Sequence, residues 1–160
     1  LDQYKKVISM LREGRSLAIT NEAITNPVSG EKEVPSEFGV LIDEENKVIE
    51  LFANNGSPAH AYEFVKEDDR PNPGDKGDTV LKKMKFENYQ IEVNEDPDVE
   101  KSMILLWQTF GYGGVMACFL PCEDPSDEGL SKIVFSDPRS GNKREILVIH
   151  FSGIVEEIRN

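Results

Sequence analysis

Apolar residues recur at helical spacing in two separate segments of the chain. The first segment precedes Gly14, where a left-handed cap would end a helix, so the pattern predicts a helix over residues 2–13. In the second, Asp96-Pro97 supplies a cap and a first-turn proline, which predicts a helix over 97–110. The apolar positions are Tyr4, Val7, Ile8 and Leu11 in the first segment and Val99, Met103, Leu106, Trp107 and Phe110 in the second.

Short apolar runs separated by turn-forming residues predict strands elsewhere. Three pairs of such runs have the form of hairpins: 38–42 with 48–52, 80–86 with 89–93, and 130–135 with 146–151. Further strands are predicted at 17–19 and 115–120, and residues 154–158 form a strand or a short helical turn.

Together these elements predict a single domain of the α+β class over residues 1–160, because half of this length would bury little apolar surface. We expect an antiparallel or mixed sheet of six to eight strands with two or three helices packed against it. A third helix is predicted at 59–66, after Ser57-Pro58, with a strand as the alternative. Residues 67–78 contain no core-forming side chain and are predicted to form an exposed loop.

The net negative charge of the chain limits the kinds of molecule that it is expected to bind. Acidic residues outnumber basic residues 30 to 18, which gives a formal net charge of −12 at pH 7. Residues 31–130 hold the excess, since acids exceed bases there by 14. This charge repels phosphate backbones and anionic headgroups, so we expect no nucleic-acid partner and no membrane partner. It would attract a basic protein, and the alternative is a solvated surface that keeps the protein in solution.

Acids in the predicted turns and loops are the candidates for contact with such a partner. Tyr112 joins them, because it lies in the glycine-rich segment 110–114 and loop residues often carry recognition. That segment follows a predicted helix and precedes a predicted strand, which is the reverse of the order in phosphate cradles. The candidate binding residues are Asp43, Glu44, Glu45, Asp68, Asp69, Asp75, Asp78 and Tyr112.

Few residues are suited to proton transfer or nucleophilic attack. The segment His150-Phe-Ser152 has the form of the His-x-Ser/Thr units of two-histidine phosphoesterases, whereas His60-Ala-Tyr62 has tyrosine in place of the hydroxyl residue. Cys118 beside a histidine would be a second candidate nucleophile. If the chain is an enzyme, the candidate catalytic residues are therefore His60, His150, Ser152 and Cys118; otherwise we expect these histidines and Cys118 to be structural or surface residues.

No metal or cofactor is expected. A structural zinc site needs about four Cys or His ligands at short spacings, and the chain offers only Cys118 and Cys122 with two distant histidines. The acids of 67–78 lack the alternating spacing of a calcium loop. In an extended strand the two cysteines would stand about 13 Å apart, beyond disulfide reach, so we expect them reduced. Reduced cysteines favour a cytoplasmic location, and the absence of an initiating methionine at Leu1 leaves export open.

Three classes of function remain. We favour an acidic protein-binding domain, for example an inhibitor or immunity-type protein that covers the basic active site of a toxin or of an enzyme that acts on nucleic acid. A small two-histidine phosphoesterase or another hydrolase is the first alternative. The second is a domain that binds a small ligand between the helix at 97–110 and the sheet.

Overall fold

The fold is α+β, with one helix and eleven strands in three sheets among the residues that are described. The computed structural model describes residues 2–25, 30–35, 37–54, 79–93, 102–109, 115–119 and 129–158. Helix α1 spans Asp2–Thr20. The strands are β1 Ile24–Thr25, β2 Lys32–Glu33, β3 Glu37–Asp43, β4 Val48–Asn54, β5 Thr79–Lys85, β6 Gln90–Val93, β7 Ser102–Thr109, β8 Val115–Phe119, β9 Leu130–Ser136, β10 Lys143–Ile149 and β11 Val155–Ile158.

Five antiparallel strands form the larger sheet, in the order β5-β4-β3-β7-β8. Its centre is the predicted hairpin of β3 and β4, in which Val40 lies opposite Leu51. Every residue of β3 is buried, and helix α1 packs on β3, β4 and β7. The predicted strand at 115–120 is confirmed as β8 over its described residues. Strands β1 and β2 form a separate two-stranded sheet after α1.

The smaller sheet has four antiparallel strands in the order β11-β10-β9-β6. Its β9–β10 hairpin is the one predicted from the sequence, and residues 155–158 form a strand instead of a helical turn. Helix α1 reaches this sheet as well, because the rings of Tyr4 and Phe135 meet edge to face at 5.6 Å. Burial, followed by the Glu157 carboxylate, raises the pKa of Tyr4 to about 12. One apolar core therefore joins the helix to both sheets.

The predicted pairing of residues 80–86 with 89–93 is wrong, although both strands exist. Strand β5 pairs with β4, and β6 pairs with β9 of the other sheet. The short link between them turns at Asn88, which has a φ of 66°, and its Phe86 side chain is buried. A short polar link between two strands is typical of a hairpin, but here it carries the chain from one sheet to the next.

The predicted helix over 97–110 is also wrong, since residues 102–109 form strand β7. Backbone hydrogen bonding on both edges decides the conformation, because β7 lies between β3 and β8. Leu105 and Trp107, two residues apart, are both fully buried, as the period of a strand requires. Residues 97–101 and 110 lie outside the described part, as do the helix predicted at 59–66 and the loop predicted at 67–78.

Helix α1 is seven residues longer than predicted, and it includes the supposed strand at 17–19. The left-handed residue that ends it is Asn21, with a φ of 49°, whose amide donates to the Ala18 carbonyl oxygen at 3.2 Å. Gly14 lies inside the helix, where the absence of a side chain allows the Trp107 ring to pack closely against it. A Cβ placed there would stand 2.8 Å from a ring carbon of Trp107, closer than atoms can approach.

Trp107 is held between two glycines from different parts of the fold. On its other side, a Cβ at Gly153 in the β10–β11 turn would stand 2.8 Å from Trp107 Cδ1. Trp107 Nε1 also donates a hydrogen bond to the Gly153 carbonyl oxygen at 3.1 Å. The buried indole therefore joins α1, the five-stranded sheet and the four-stranded sheet, with its one polar group satisfied.

We expect Gly14→Ala to destabilise the protein by about 1–3 kcal/mol, because the added methyl group overpacks the Trp107 ring. At an exposed helical site the same change would stabilise by about 0.5–1 kcal/mol, so the sign is diagnostic. Urea unfolding should be measured for Gly14→Ala alone and together with Trp107→Phe, which removes the ring atoms in question. An equal cost of Gly14→Ala in both backgrounds would contradict the packing explanation.

Candidate functional site

The turn between β3 and β4 contains three of the acids predicted to contact a partner. Asp43 is buried, and its carboxylate accepts hydrogen bonds from the Asn46 backbone amide at 3.1 Å and from Asn46 Nδ2 at 2.9 Å. These bonds close the turn locally, as aspartate side chains often do. The Asp43 carboxylate is therefore used inside the protein.

Glu44 fastens the same turn to the other sheet. One of its carboxylate oxygens accepts a hydrogen bond from the Ile91 backbone amide of β6 at 3.0 Å, and the other pairs with Lys47. Lys47 Nζ in turn donates to the Tyr89 carbonyl oxygen at 3.0 Å and lies 5.3 Å from the centre of the Phe86 ring. We call residues 43–47 with these partners the sheet clamp. It holds the end of one sheet against the edge strand of the other.

The remaining binding candidates divide between one exposed residue and residues outside the described part. Glu45 is exposed at the tip of the sheet clamp. Asp68, Asp69, Asp75, Asp78 and Tyr112 lie outside the described residues. Nothing in the sequence distinguishes Asp43 and Glu44 from Glu45, because all three occupy one polar run. Their different roles depend on the contact with β6, which only the tertiary structure brings close.

Several other acids of the scaffold also have basic partners. Glu13 pairs with Lys82 at 2.7 Å, and Glu50 pairs with Lys83 at 3.4 Å. The described residues carry 16 acidic and 13 basic side chains, so nine of the twelve net negative charges belong to the rest of the chain. The described scaffold is thus close to neutral.

Three stretches of sequence hold most of the net negative charge, and we call them the acidic connections. Residues 55–78 link β4 to β5 and carry six acids and three bases. Residues 94–101 link β6 to β7 with four acids and one base, and residues 120–128 link β8 to β9 with four acids and no base. Of these three, the two that pass from one sheet to the other therefore have the highest proportion of acids.

Strand register shows where those two connections attach to the sheets. Strand β7 begins at Ser102, opposite Asp43, at the end of the five-stranded sheet that carries the sheet clamp. Strand β8 runs towards the same end but stops at Phe119, which is level with Leu105 and with Val40 in the middle of β3. In the four-stranded sheet, Val93 and Leu130 likewise mark one end of neighbouring strands. Connection 55–78 is attached at the opposite end of the five-stranded sheet, beside Glu37.

Two of the four candidate catalytic residues, His150 and Ser152, have side chains within the described part. His60 lies outside it, and Cys118 is described only by its backbone pairing with Leu106 in β8. Ser152 Oγ accepts a hydrogen bond from the Ile154 amide at 3.3 Å, so it stabilises its own turn. The motif His150-Phe-Ser152 therefore does not bring its imidazole and hydroxyl groups together.

His150 instead pairs with Ser131, a residue that the sequence did not single out. His150 Nε2 lies 2.7 Å from Ser131 Oγ, and the two residues are 6% and 2% exposed. The His150 backbone amide donates to the Gly129 carbonyl oxygen at 2.9 Å, and its carbonyl oxygen accepts from the Ala117 amide at 2.8 Å. The register of the predicted β9–β10 hairpin was the signal that could have placed Ser131 beside His150. Burial of the pair favours a structural role.

The other ring nitrogen of His150 is buried without a hydrogen-bond partner among the described residues. Burial lowers the pKa of His150 below its ordinary value, because the charged imidazolium is poorly solvated there. A proton therefore binds the unfolded chain more tightly than the folded one. The stability that this histidine contributes is complete above its unfolded pKa of about 6.5 and is lost as the pH falls towards the folded pKa.

Within the described ranges, no group of three or more His, Cys, Asp or Glu side chains could hold a metal ion. The only helix there, α1, is not apolar enough to cross a membrane.

The sequence placed a possible small-ligand site between a helix at 97–110 and the sheet. Residues 102–109 form strand β7 of that sheet, so they cannot be a helix packed against it.

We expect Glu44→Ala to destabilise the protein by about 1–3 kcal/mol, since it leaves the Ile91 amide and Lys47 without their carboxylate. Glu45→Ala is the matched control, because it removes an exposed carboxylate from the next position and should change stability by less than about 0.5 kcal/mol. Urea unfolding of both variants measures the difference. Equal effects would show that Glu44 does not fasten the sheets.

We expect the free energy of unfolding to fall between about pH 7.5 and pH 5.5, a window above the range of ordinary carboxylates. His150→Gln, which retains an amide group to bond Ser131, should show a shallower fall because nothing titrates at that position. Ser131→Ala should lower stability but retain the wild-type pH dependence, since the imidazole remains buried. An unchanged slope in His150→Gln would assign the pH dependence to another group.

Comparison of the chain with protein-family models, curated proteins and solved structures finds no match. The functional assignment therefore rests on the residues of this chain.

Proposed function

We propose that this protein acts by binding a basic protein partner, and that the acidic connections supply the attracting charge. The observation that carries the proposal is the division of charge along the chain. Nine of twelve net negative charges belong to residues outside a nearly neutral scaffold, and acids of the scaffold such as Asp43 and Glu44 are engaged in its own structure.

The places where the connections attach favour a field concentrated in one region rather than an evenly acidic surface. Connections 94–101 and 120–128 together carry eight acids and one base. The first joins the five-stranded sheet at the end that carries exposed Glu45, and the second leaves β8 in the direction of that end. Charges within one Debye length, about 8 Å at physiological ionic strength, act on a partner together. Such a field speeds the encounter with a positively charged surface and disfavours acidic partners.

The specific form that we propose is an inhibitor or immunity-type protein. The positively charged active site of a nuclease-like toxin, or of another enzyme that acts on nucleic acid, is a surface on which clustered carboxylates would replace phosphate groups. Connection 55–78, with the candidates Asp68, Asp69, Asp75 and Asp78, adds a second acidic region at the other end of the sheet.

Capture of partners from a lysate of the source organism tests the proposal. The immobilised protein should retain a basic protein at about 0.1 M salt and release it at about 1 M, as the Debye length falls from about 10 Å to about 3 Å. Neutralising the four acids of connection 120–128, Glu123, Asp124, Asp127 and Glu128, to the corresponding amides should reduce the captured amount several-fold.

A control with the same change in net charge separates a local field from total charge. Glu22, Glu87, Glu92 and Glu156 are exposed on the scaffold, and their combined replacement by glutamine should leave capture nearly unchanged. Equal loss in both quadruple variants would mean that only net charge matters. Absence of any salt-sensitive basic partner would refute the proposed function.

A further inference from the structure

Exposed apolar residues are concentrated at the turn between β10 and β11. Four large apolar side chains stay exposed in the described part of the chain: Ile19, Val34, Phe151 and Ile154. Two of them belong to this turn, and Phe151 is the most exposed of the four, at 70%. Leaving a phenylalanine in water forgoes about 1.5–3 kcal/mol of burial free energy.

The turn that presents Phe151 is held firmly by its own hydrogen bonds. The Gly153 amide donates to the Ile149 carbonyl oxygen at 2.7 Å, and the Ile149 amide donates to the Ile154 carbonyl oxygen at 2.9 Å. Gly153 has a φ of 69°, a conformation that suits glycine. The backbone around Phe151 is therefore fixed on both sides.

Side chains from two other elements fix the turn further. Arg15 of α1 donates through Nε to the Ser152 carbonyl oxygen at 2.8 Å, and Trp107 of β7 donates to the Gly153 carbonyl oxygen at 3.1 Å. Little conformational entropy is then lost when a partner contacts Phe151. Such preorganisation is what makes an exposed aromatic side chain an effective binding anchor.

Phe151 also lies where the most acidic connection meets the sheet. Its ring packs against Gly129, where a Cβ would stand 3.4 Å from Phe151 Cε2. In the sequence, Gly129 directly follows residues 120–128, which carry four acids and no base. The Phe151 ring therefore contacts the residue at which this acidic connection rejoins the described fold.

We propose that Phe151 and Ile154, which we call the Phe151 surface, form the apolar anchor for the basic partner. Its complement is a surface of apolar side chains flanked by lysine or arginine. This inference rests on the proposed function and names the feature that supplies affinity. Negative charge mainly raises the rate and selectivity of association, whereas a desolvated aromatic ring contributes binding free energy.

Two synthetic peptides of equal charge test the anchor. Each has four lysines, a central pair and four further lysines, and the pair is leucine in one peptide and serine in the other. Calorimetric titration at about 0.1 M salt should show tighter binding of the leucine peptide to the wild type, by about tenfold or about 1.4 kcal/mol. Phe151→Ala should abolish that preference and leave the affinity for the serine peptide unchanged.

The β9–β10 turn supplies a matched control. Pro138 is an exposed apolar residue about 20 Å along the hairpin from Phe151, from the rise of β10, and Pro138→Ala should retain the preference for leucine. Unfolding curves should show that both variants fold, because both side chains are exposed.

The outcomes separate the two proposals. If neither peptide binds the wild type, the proposed function fails and the anchor fails with it. If both peptides bind but the wild type shows no preference, or if the preference survives Phe151→Ala, the anchor is overturned while attraction of basic partners stands.

Discussion

The close approach of Trp107 to two glycines is the contact on which the arrangement of this fold depends. The indole belongs to the five-stranded sheet, Gly14 belongs to α1, and Gly153 belongs to the turn between two strands of the four-stranded sheet. A side chain at either glycine would push these elements apart, because neither position has room for one methyl group. The hydrogen bond from Trp107 to Gly153 then fixes the direction in which the turn faces, and with it the position of Phe151.

A second junction, the sheet clamp, joins the same two sheets by different physics. At Trp107 they are joined by apolar packing, whereas at Glu44 a carboxylate satisfies the backbone amide of edge strand β6 and a lysine at once. An amide on a sheet edge is otherwise free to pair with another strand, so the contact also protects that edge. Consequently, some of the negative charge in the sequence is structural.

The local sequence pattern correctly predicted strands that pair with a neighbour close in the sequence. It failed for segments whose conformation depends on contacts with residues far away in the sequence. The hairpins at 38–52 and 130–149 combine apolar runs with a turn, and both formed as expected. The run around Trp107 satisfies helical spacing nearly as well as strand spacing, and only pairing with β3 and β8 makes it a strand. Likewise Gly14 resembled a helix cap because its real constraint lies more than 90 residues away. Of the candidate site, composition predicted the acidic character, but it could not separate Glu44 from Glu45.

The separation of roles among the carboxylates has a physical advantage. Clustered like charges destabilise a compact state through their mutual repulsion, and a scaffold with 16 acids and 13 bases suffers little of it. Acidic residues in the connections can therefore be substituted to suit a different partner, while the scaffold keeps its ion pairs and its core. An anchor on a turn fixed by Trp107 complements this arrangement, because its position does not depend on how the charges are distributed. In this proposed arrangement the charge of the connections sets the rate of association, and Phe151 sets the lifetime of the complex. Substitutions in the connections should therefore alter association rates, whereas substitutions in the turn should alter dissociation rates.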